Sequence, residues 1–317
     1  MTSPSPALPW HRPLMLLAVA MAILTVASAA AMVIDDRTLT GLPIWAKSVK
    51  FALSVLIYAV TWSWLIAQLT RLRRLAWWAG TVAAGGLALE LVVIVTQIVR
   101  GTTSHFNFTT PLNAALWETM GSSIVGVWLA TLVVSVALFA NPTADRARDT
   151  AIRYGTVLSL AGAALGILMV RETPAQRATG GSISGAHTVG PADGGPGLPI
   201  LGWSTVGGDL RIPHFIGMHA LQAMPLVLIV LELGARRIPV LRSMETRRTL
   251  VVIASATYGA LLAVLTWQAL RGQSVVHPDV ATLLAFGVIG IAATVSGVLT
   301  VRPKQVDSQH VSAGAAR

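Results

Sequence analysis

The sequence predicts an all-α protein, a polytopic transmembrane helix bundle of about eight spans. Mean hydropathy is +0.69 and only 11% of the 317 residues are charged, where a soluble chain carries about a quarter. Apolar runs long enough to cross a bilayer, which takes about 20 residues, recur along the whole chain. Arginines cluster at alternate connections between them.

The first run, 14–34, follows a polar, proline-bearing segment. Arg12 before it and Ala27-Ser28-Ala29 near its end have the form of a secretory signal, but the apolar run continues past that site, which favours a retained span. Further spans are expected at 44–69, 76–99, 113–140, 151–170, 213–233, 250–270 and 280–301. Punctuation supports the breaks. Pro43 opens the second span, Pro111 and Asn113 precede the fourth, and Pro213 suits the first turn of the sixth, where a missing N–H costs nothing. Pro225 is expected to kink that span. One connection, 171–212, is long. With Leu198, Ile200, Leu201 and Trp203 and few charges, it reads as an ordered lid over the bundle mouth, against a mobile glycine linker. The spans and this loop use up the length, so a single domain is expected.

Orientation follows from the basic residues. Assigning alternate connections to two sides puts 15 Lys and Arg on one side and 8 on the other. The positive-inside rule then predicts both termini in the cytoplasm. The net charge of +10, with only three lysines among 23 basic residues, is accounted for by topology and does not point to nucleic acid. The absence of cysteine excludes disulfides, thiolate ligands and thiol catalysis.

That orientation gathers His105, His187, His214, His219 and His277 on the outer side, leaving His11 and His310 on the cytoplasmic side. Ionisable groups inside spans are costly and mark sites by default. Glu90 is expected about 15 Å below the outer end of the third span, with Gln97 on its face. Glu118 enters the fourth span from the same side. Lys47 and Lys50 enter the second, and Lys50, about 10 Å deep, is expected to pair with Glu90 or Glu118. Arg100 and Asn107 lie in the intervening loop. Asp209 and Arg211 lead into the sixth span, which carries His214, His219 and Gln222. Together these residues predict an outward-facing polar pocket. Polar groups that merely fix helix packing are the plain alternative.

Histidine is the commonest metal ligand, and carboxylates often orient it. His105, His214 and His219 are therefore candidates for a divalent metal or haem. The spacing weighs against a helical pair, since His214 and His219 lie about 140° apart around a regular helix and lack the i, i+4 spacing of a helical zinc motif. Phosphate loops and nucleotide fingerprints are absent, and no internal repeat suggests a transporter of inverted halves.

Arg100-Gly-Thr-Thr-Ser-His105-Phe-Asn107, Ala186-His187-Thr188-Val189-Gly190 with Asp193-Gly-Gly-Pro-Gly197, Trp203-Ser-Thr, and Gly-Gly-Asp209-Leu-Arg211 with His214-Phe and His219 form a set of polar motifs. In these the chain resembles an uncharacterised family of bacterial multi-pass membrane proteins, from Lys47 to about Gln222. The resemblance implies a bacterial inner-membrane setting and no particular activity. The functional expectation is redox, metal-dependent or other membrane-embedded chemistry on a lipophilic or periplasmic small molecule. The alternatives are a transporter or sensor without chemistry, and a structural membrane partner.

Overall fold

A computed structural model describes residues 10–302. His310 and two of the 15 basic residues on the predicted cytoplasmic side, Lys304 and Arg317, lie outside the described residues. The helices are α1 (Arg12–Ile34), α2 (Ala46–Ala67), α3 (Arg73–Val99), α4 (Pro111–Phe139), α5 (Arg146–Ala164), a short α6 (Pro174–Thr179), α7 (Arg211–Met218), α8 (Ala220–Gly234), α9 (Met244–Leu270) and α10 (Val280–Val301). A 3-10 turn, Leu165–Leu168, extends α5. Seven of these elements are long and apolar enough to span a membrane. The bent pair α7–α8 passes the same test taken together, which gives seven spans, or eight if the pair counts as one, against the about eight expected.

Caps start several helices where the sequence provides them. Thr110 accepts from the Asn113 N–H with Pro111 in the first turn of α4, and Asp145, Ser243 and Asp279 cap α5, α9 and α10. Side-chain oxygens at these positions satisfy N–H groups that the helix itself leaves free.

Two helix groups divide the molecule. In the first, α1 packs on α2 and α3 on α4. Its core is alanine-rich, with Leu14, Trp62, Leu65 and Leu91 buried among Ala52, Ala59, Ala76 and Ala83. In the second, α5 is central and touches α7, α8 and α9, while α10 packs chiefly on α9. Trp128 of α4 donates to the Leu160 carbonyl of α5 across the groups at 3.1 Å.

Side-chain bonds fix which helix ends lie together. His11 at the start of α1 meets Ser63 near the end of α2 and Trp77 near the start of α3. Arg247 faces Asp145 at the starts of α9 and α5. The start of α1 and the end of α10 therefore share one end, here the terminal end. The opposite end carries the long connection and is called the loop end.

The sixth span bends by 50°, and it bends at His219. The expected kink at Pro225 is not where the break falls: Pro225 sits inside the continuous helix α8. The break is held by neighbours that take up backbone carbonyls around it. Ser159 of α5 donates to the Met218 carbonyl at 2.7 Å, and Tyr258 of α9 donates to the Ile216 carbonyl. Gly162 of α5 and Gly217 of α7 approach so closely that a Cβ on either would collide with the other's backbone.

The long connection folds as a cap at the loop end. α6 carries a reciprocal capping box between Thr173 and Gln176. Strands β3 (Thr188–Val189) and β4 (Gly208–Asp209) pair antiparallel. Further ties bind the cap to the bundle: Asn107 bridges Ile183, Lys50 donates to the Leu201 carbonyl, and Ser274 donates to the Ser204 carbonyl. A small hairpin of β1 (Thr38–Leu39) and β2 (Leu42–Pro43) sits beside it, its Gly41 against the Gly194 carbonyl.

Candidate functional site

The polar residues of the loop end separate into a central cluster and the parts that hold it. The cluster begins at Lys47 in the first turn of α2. Its Nζ donates to Ser104 Oγ at 2.8 Å and lies 3.0 Å from His105 Nδ1. An ammonium has only donors, so when Lys47 is charged His105 Nδ1 accepts and the neutral imidazole carries its hydrogen on Nε2. That nitrogen lies 3.8 Å from Glu90 Oε1 on α3. Glu90 is buried, and its Oε2 has no hydrogen-bond partner among the described residues. An amine, an imidazole and a carboxyl thus lie in series, walled by Phe51, Phe106 and Trp117 around the His105 ring.

The cap adds a second pair. His187 Nδ1 lies 2.6 Å from Asp193 Oδ2, and Asp193 Oδ1 accepts from the Thr188 N–H and hydroxyl. With its Nδ1 hydrogen given to Asp193, His187 presents a bare Nε2. Its ring centroid is 6.3 Å from that of His105. Burial holds both imidazoles below their ordinary 6.5, His105 well below it, with the Lys47 ammonium adding to the effect there. Burial acts to raise Asp193, but the hydrogen bond from His187 and those from nearby backbone and Thr188 hold it well below the usual carboxylate range.

Other expected site residues serve as frame. Gln97 and Arg100 both donate to Asn113 Oδ1, and Arg100 also donates to Gln97 Oε1, closing the α3–α4 connection. Asn107 ties the same loop, donating to the Thr103 carbonyl and accepting from Thr109. Asp209 is buried in the cap, where it accepts from Arg211 and from the Ser204 N–H. His214 Nδ1 lies 2.9 Å from the Gly162 carbonyl. His219 Nε2 meets Ser54 Oγ at 2.9 Å, and Gln222 Nε2 donates to Thr61 Oγ1 at 3.3 Å.

Two expectations are corrected. Lys50 pairs with neither Glu90 nor Glu118, because α2 starts at Ala46. That puts Lys50 only about 6 Å into the helix, within reach of the cap, and its Nζ goes to the Leu201 carbonyl at 2.8 Å. Lys47 takes the place beside His105 and Glu90. Glu118 is exposed on the outer surface of α4. The buried face of that helix is set by Asn113 and Met120, about 140° and 200° around from Glu118.

The metal candidates do not converge. His105, His214 and His219 each bond to different neighbours, and among the described residues no three His, Asp or Glu side chains are grouped to hold a metal ion. The His187–Asp193 pair was not expected, and neither was the polar stripe of Ser54, Tyr58 and Thr61 on α2. The stripe was legible: with Lys47 and Lys50 it repeats every three or four residues, which is one helix face. Comparison of the chain with protein families, with curated proteins and with solved structures gives no match.

Proposed function

We propose that this multi-pass protein resides in a bacterial inner membrane with both termini cytoplasmic, and that it carries out proton-exchange chemistry on a small molecule arriving from the outer side. The observation that carries this reading is the series Lys47–His105–Glu90, ending in a buried carboxyl oxygen without a partner among the described residues. A network built only for packing satisfies its buried polar atoms. An incompletely satisfied carboxyl next to an imidazole is the arrangement of an acid–base pair. The His187–Asp193 pair, with its bare Nε2, supplies a second base on the cap side.

Infrared spectroscopy of the protein in lipid tests this. A protonated-carboxyl band that Glu90→Gln removes, that responds to bulk pH and that shifts in Lys47→Met is the expected result. A band insensitive to bulk pH, or the absence of any Glu90 band change across the pH range, would overturn the proposal.

Binding of a small ligand without chemistry, as in a transporter or sensor, is the second reading. The ordered cap favours it, since Lys50 and Asp209–Arg211 tie that cap over the mouth of the bundle.

A further inference from the structure

The terminal end of the first helix group carries an open depression of about 590 Å³, lined by Thr70, Leu72, Arg73, Arg74, Leu75 and Trp78. Glu90 stands about 25 Å further along α3, so this is a separate place in the molecule. With 27 residues, α3 is about 40 Å long, which matches a bilayer together with its headgroup regions, about 40–45 Å. Its first turn therefore stands among the headgroups, and the next turns enter the hydrocarbon.

The floor of the depression is fixed by α4. Just past the end of that helix, Asn141 Oδ1 accepts from the Thr70 hydroxyl and from the N–H groups of Thr70 and Arg71, and its amide donates to the Arg71 carbonyl at 2.9 Å. Trp78 is braced edge-on by Trp77, with ring centroids 4.9 Å apart. A site held in place before its ligand arrives loses less entropy on binding.

The charge of the wall is one-sided. Arg73 and Arg74 are exposed, and neither side chain forms an ion pair or hydrogen bond with a described residue. The carboxylates of the neighbouring α4–α5 turn are engaged elsewhere: Asp145 with Arg247 and the start of α5, Asp149 with the Thr143 N–H. The start of α3 has no side-chain cap, and basic residues there oppose the helix dipole, so an anion on this turn relieves both. Below the arginines the wall is apolar. Leu75, Trp78 and Val82 are each more than half exposed and share one face of α3. Guanidinium groups match a phosphate, and the apolar face beneath them matches an acyl chain. No free carboxylate lines the wall to receive an ammonium, so the fit is to a net-anionic head and not to a zwitterionic one.

We propose that the depression at the start of α3 binds an anionic phospholipid. Arg73 and Arg74 hold its phosphodiester, and one acyl chain lies along Leu75, Trp78 and Val82. General attraction of basic loops to an anionic surface would favour the α8–α9 turn instead, which has five arginines within 236–248. There the guanidinium groups are tied to protein: Arg242 to the Ala235 carbonyl, Arg247 to the Leu241 carbonyl and Arg248 to Glu245.

The test uses the full chain in phosphatidylcholine nanodiscs doped with a phosphatidylglycerol or a phosphatidylcholine probe, each with a diazirine near the top of one acyl chain. Crosslinks are mapped by mass spectrometry. The phosphatidylglycerol probe should label 72–82 severalfold more than the phosphatidylcholine probe, and 236–248 should show no such excess. Unlabelled phosphatidylglycerol should compete, and inorganic phosphate should not. Arg73→Lys combined with Arg74→Lys keeps the charge, and with it the topology signal, but removes the planar forks that seat a phosphate. The excess should fall severalfold in that variant. Trp78→Ala should lower it with both arginines in place. Equal excess at 72–82 and 236–248 would reduce the contact to bulk electrostatics, and competition by inorganic phosphate would make it a free-anion site. Either result, or an excess unchanged in the double lysine variant, would overturn the proposal.

Discussion

Glu90 meets its nearest ammonium through His105, and that arrangement has a measurable consequence. Lys47→Met removes the donor to Ser104 and His105, hydrogen bonds from a charged group worth roughly 1.5–3 kcal/mol. In a double-mutant cycle with Glu90→Gln, thermal stability in detergent should show coupling of about 0.5–3 kcal/mol. Lys50→Met in the same cycle should be additive with Glu90→Gln, since Lys50 bonds to the cap backbone. The histidines give a pH signature. Burial lowers His105 and His187 below 6.5, so the folded chain binds fewer protons than the unfolded one. Their contribution to stability is complete above pH 6.5 and is lost as pH falls through the lowered folded values. The melting temperature should fall on acidification from about pH 6.5, the unperturbed histidine value, and His105→Gln should flatten that slope. A slope unchanged in His105→Gln would remove His105 as its source.

At the scale of elements, the bend of the sixth span depends on contact between α5 and α7. Gly162→Ala sets a methyl group against the Gly217 backbone, which cannot turn aside as a side chain can. Overpacking of this kind typically costs about 1–3 kcal/mol and occasionally more, and the backbone contact puts it at the upper end. Gly287→Ala on α10 meets open space and should be neutral or gain up to about 1 kcal/mol from helix propensity. Thermal unfolding of the two variants distinguishes them. The spans were legible because an apolar run near 20 residues has one principal explanation. The bend was not, because Pro225 is the local signal, whereas the break at His219 is stabilised by Ser159 and Tyr258, which are distant in sequence. The site was legible in part for the same reason. Glu90 and His105 stand out as polar groups in or beside spans, but whether Lys47 or Lys50 reaches them depends on a helix start shifted by three residues from Pro43 to Ala46. The cap was predicted from Trp203 and its apolar neighbours, and Trp203 does pack against Phe215. Limited proteolysis from the loop end should spare 186–210. Asp209→Asn, which weakens the bond to Arg211, should open that segment to cleavage.

For the whole molecule, the start of α1 and the end of α10 come to the same end. The basic residues follow that division. Thirteen of the 15 on one side lie at the terminal end, with Lys304 and Arg317 outside the described residues, and all 8 of the others lie at the loop end. Several loop-end cations are engaged: Arg37 with Asp35, Arg211 with Asp209, Arg271 with Asp279, and Lys47 and Lys50 in the hydrogen bonds described above. By contrast, Arg71, Arg73 and Arg74 form no ion pair with a described carboxylate. The positive-inside rule counts the basic residues themselves, paired or not, and their excess at the terminal end favours its retention in the cytoplasm. Reporter fusions at Ala147 and Arg242 should report cytoplasm, and fusions at Thr179 and Ser274 should report the outside. Moving arginines supplies the causal check. Arg71, Arg73 and Arg74 all changed to Gln should shift part of the population toward the opposite signal at Thr179, because they hold the first two-helix turn of the terminal end. A Thr179 reporter that reads cytoplasmic in the unmodified chain would invert the molecule and place the Glu90 cluster next to the cytoplasm.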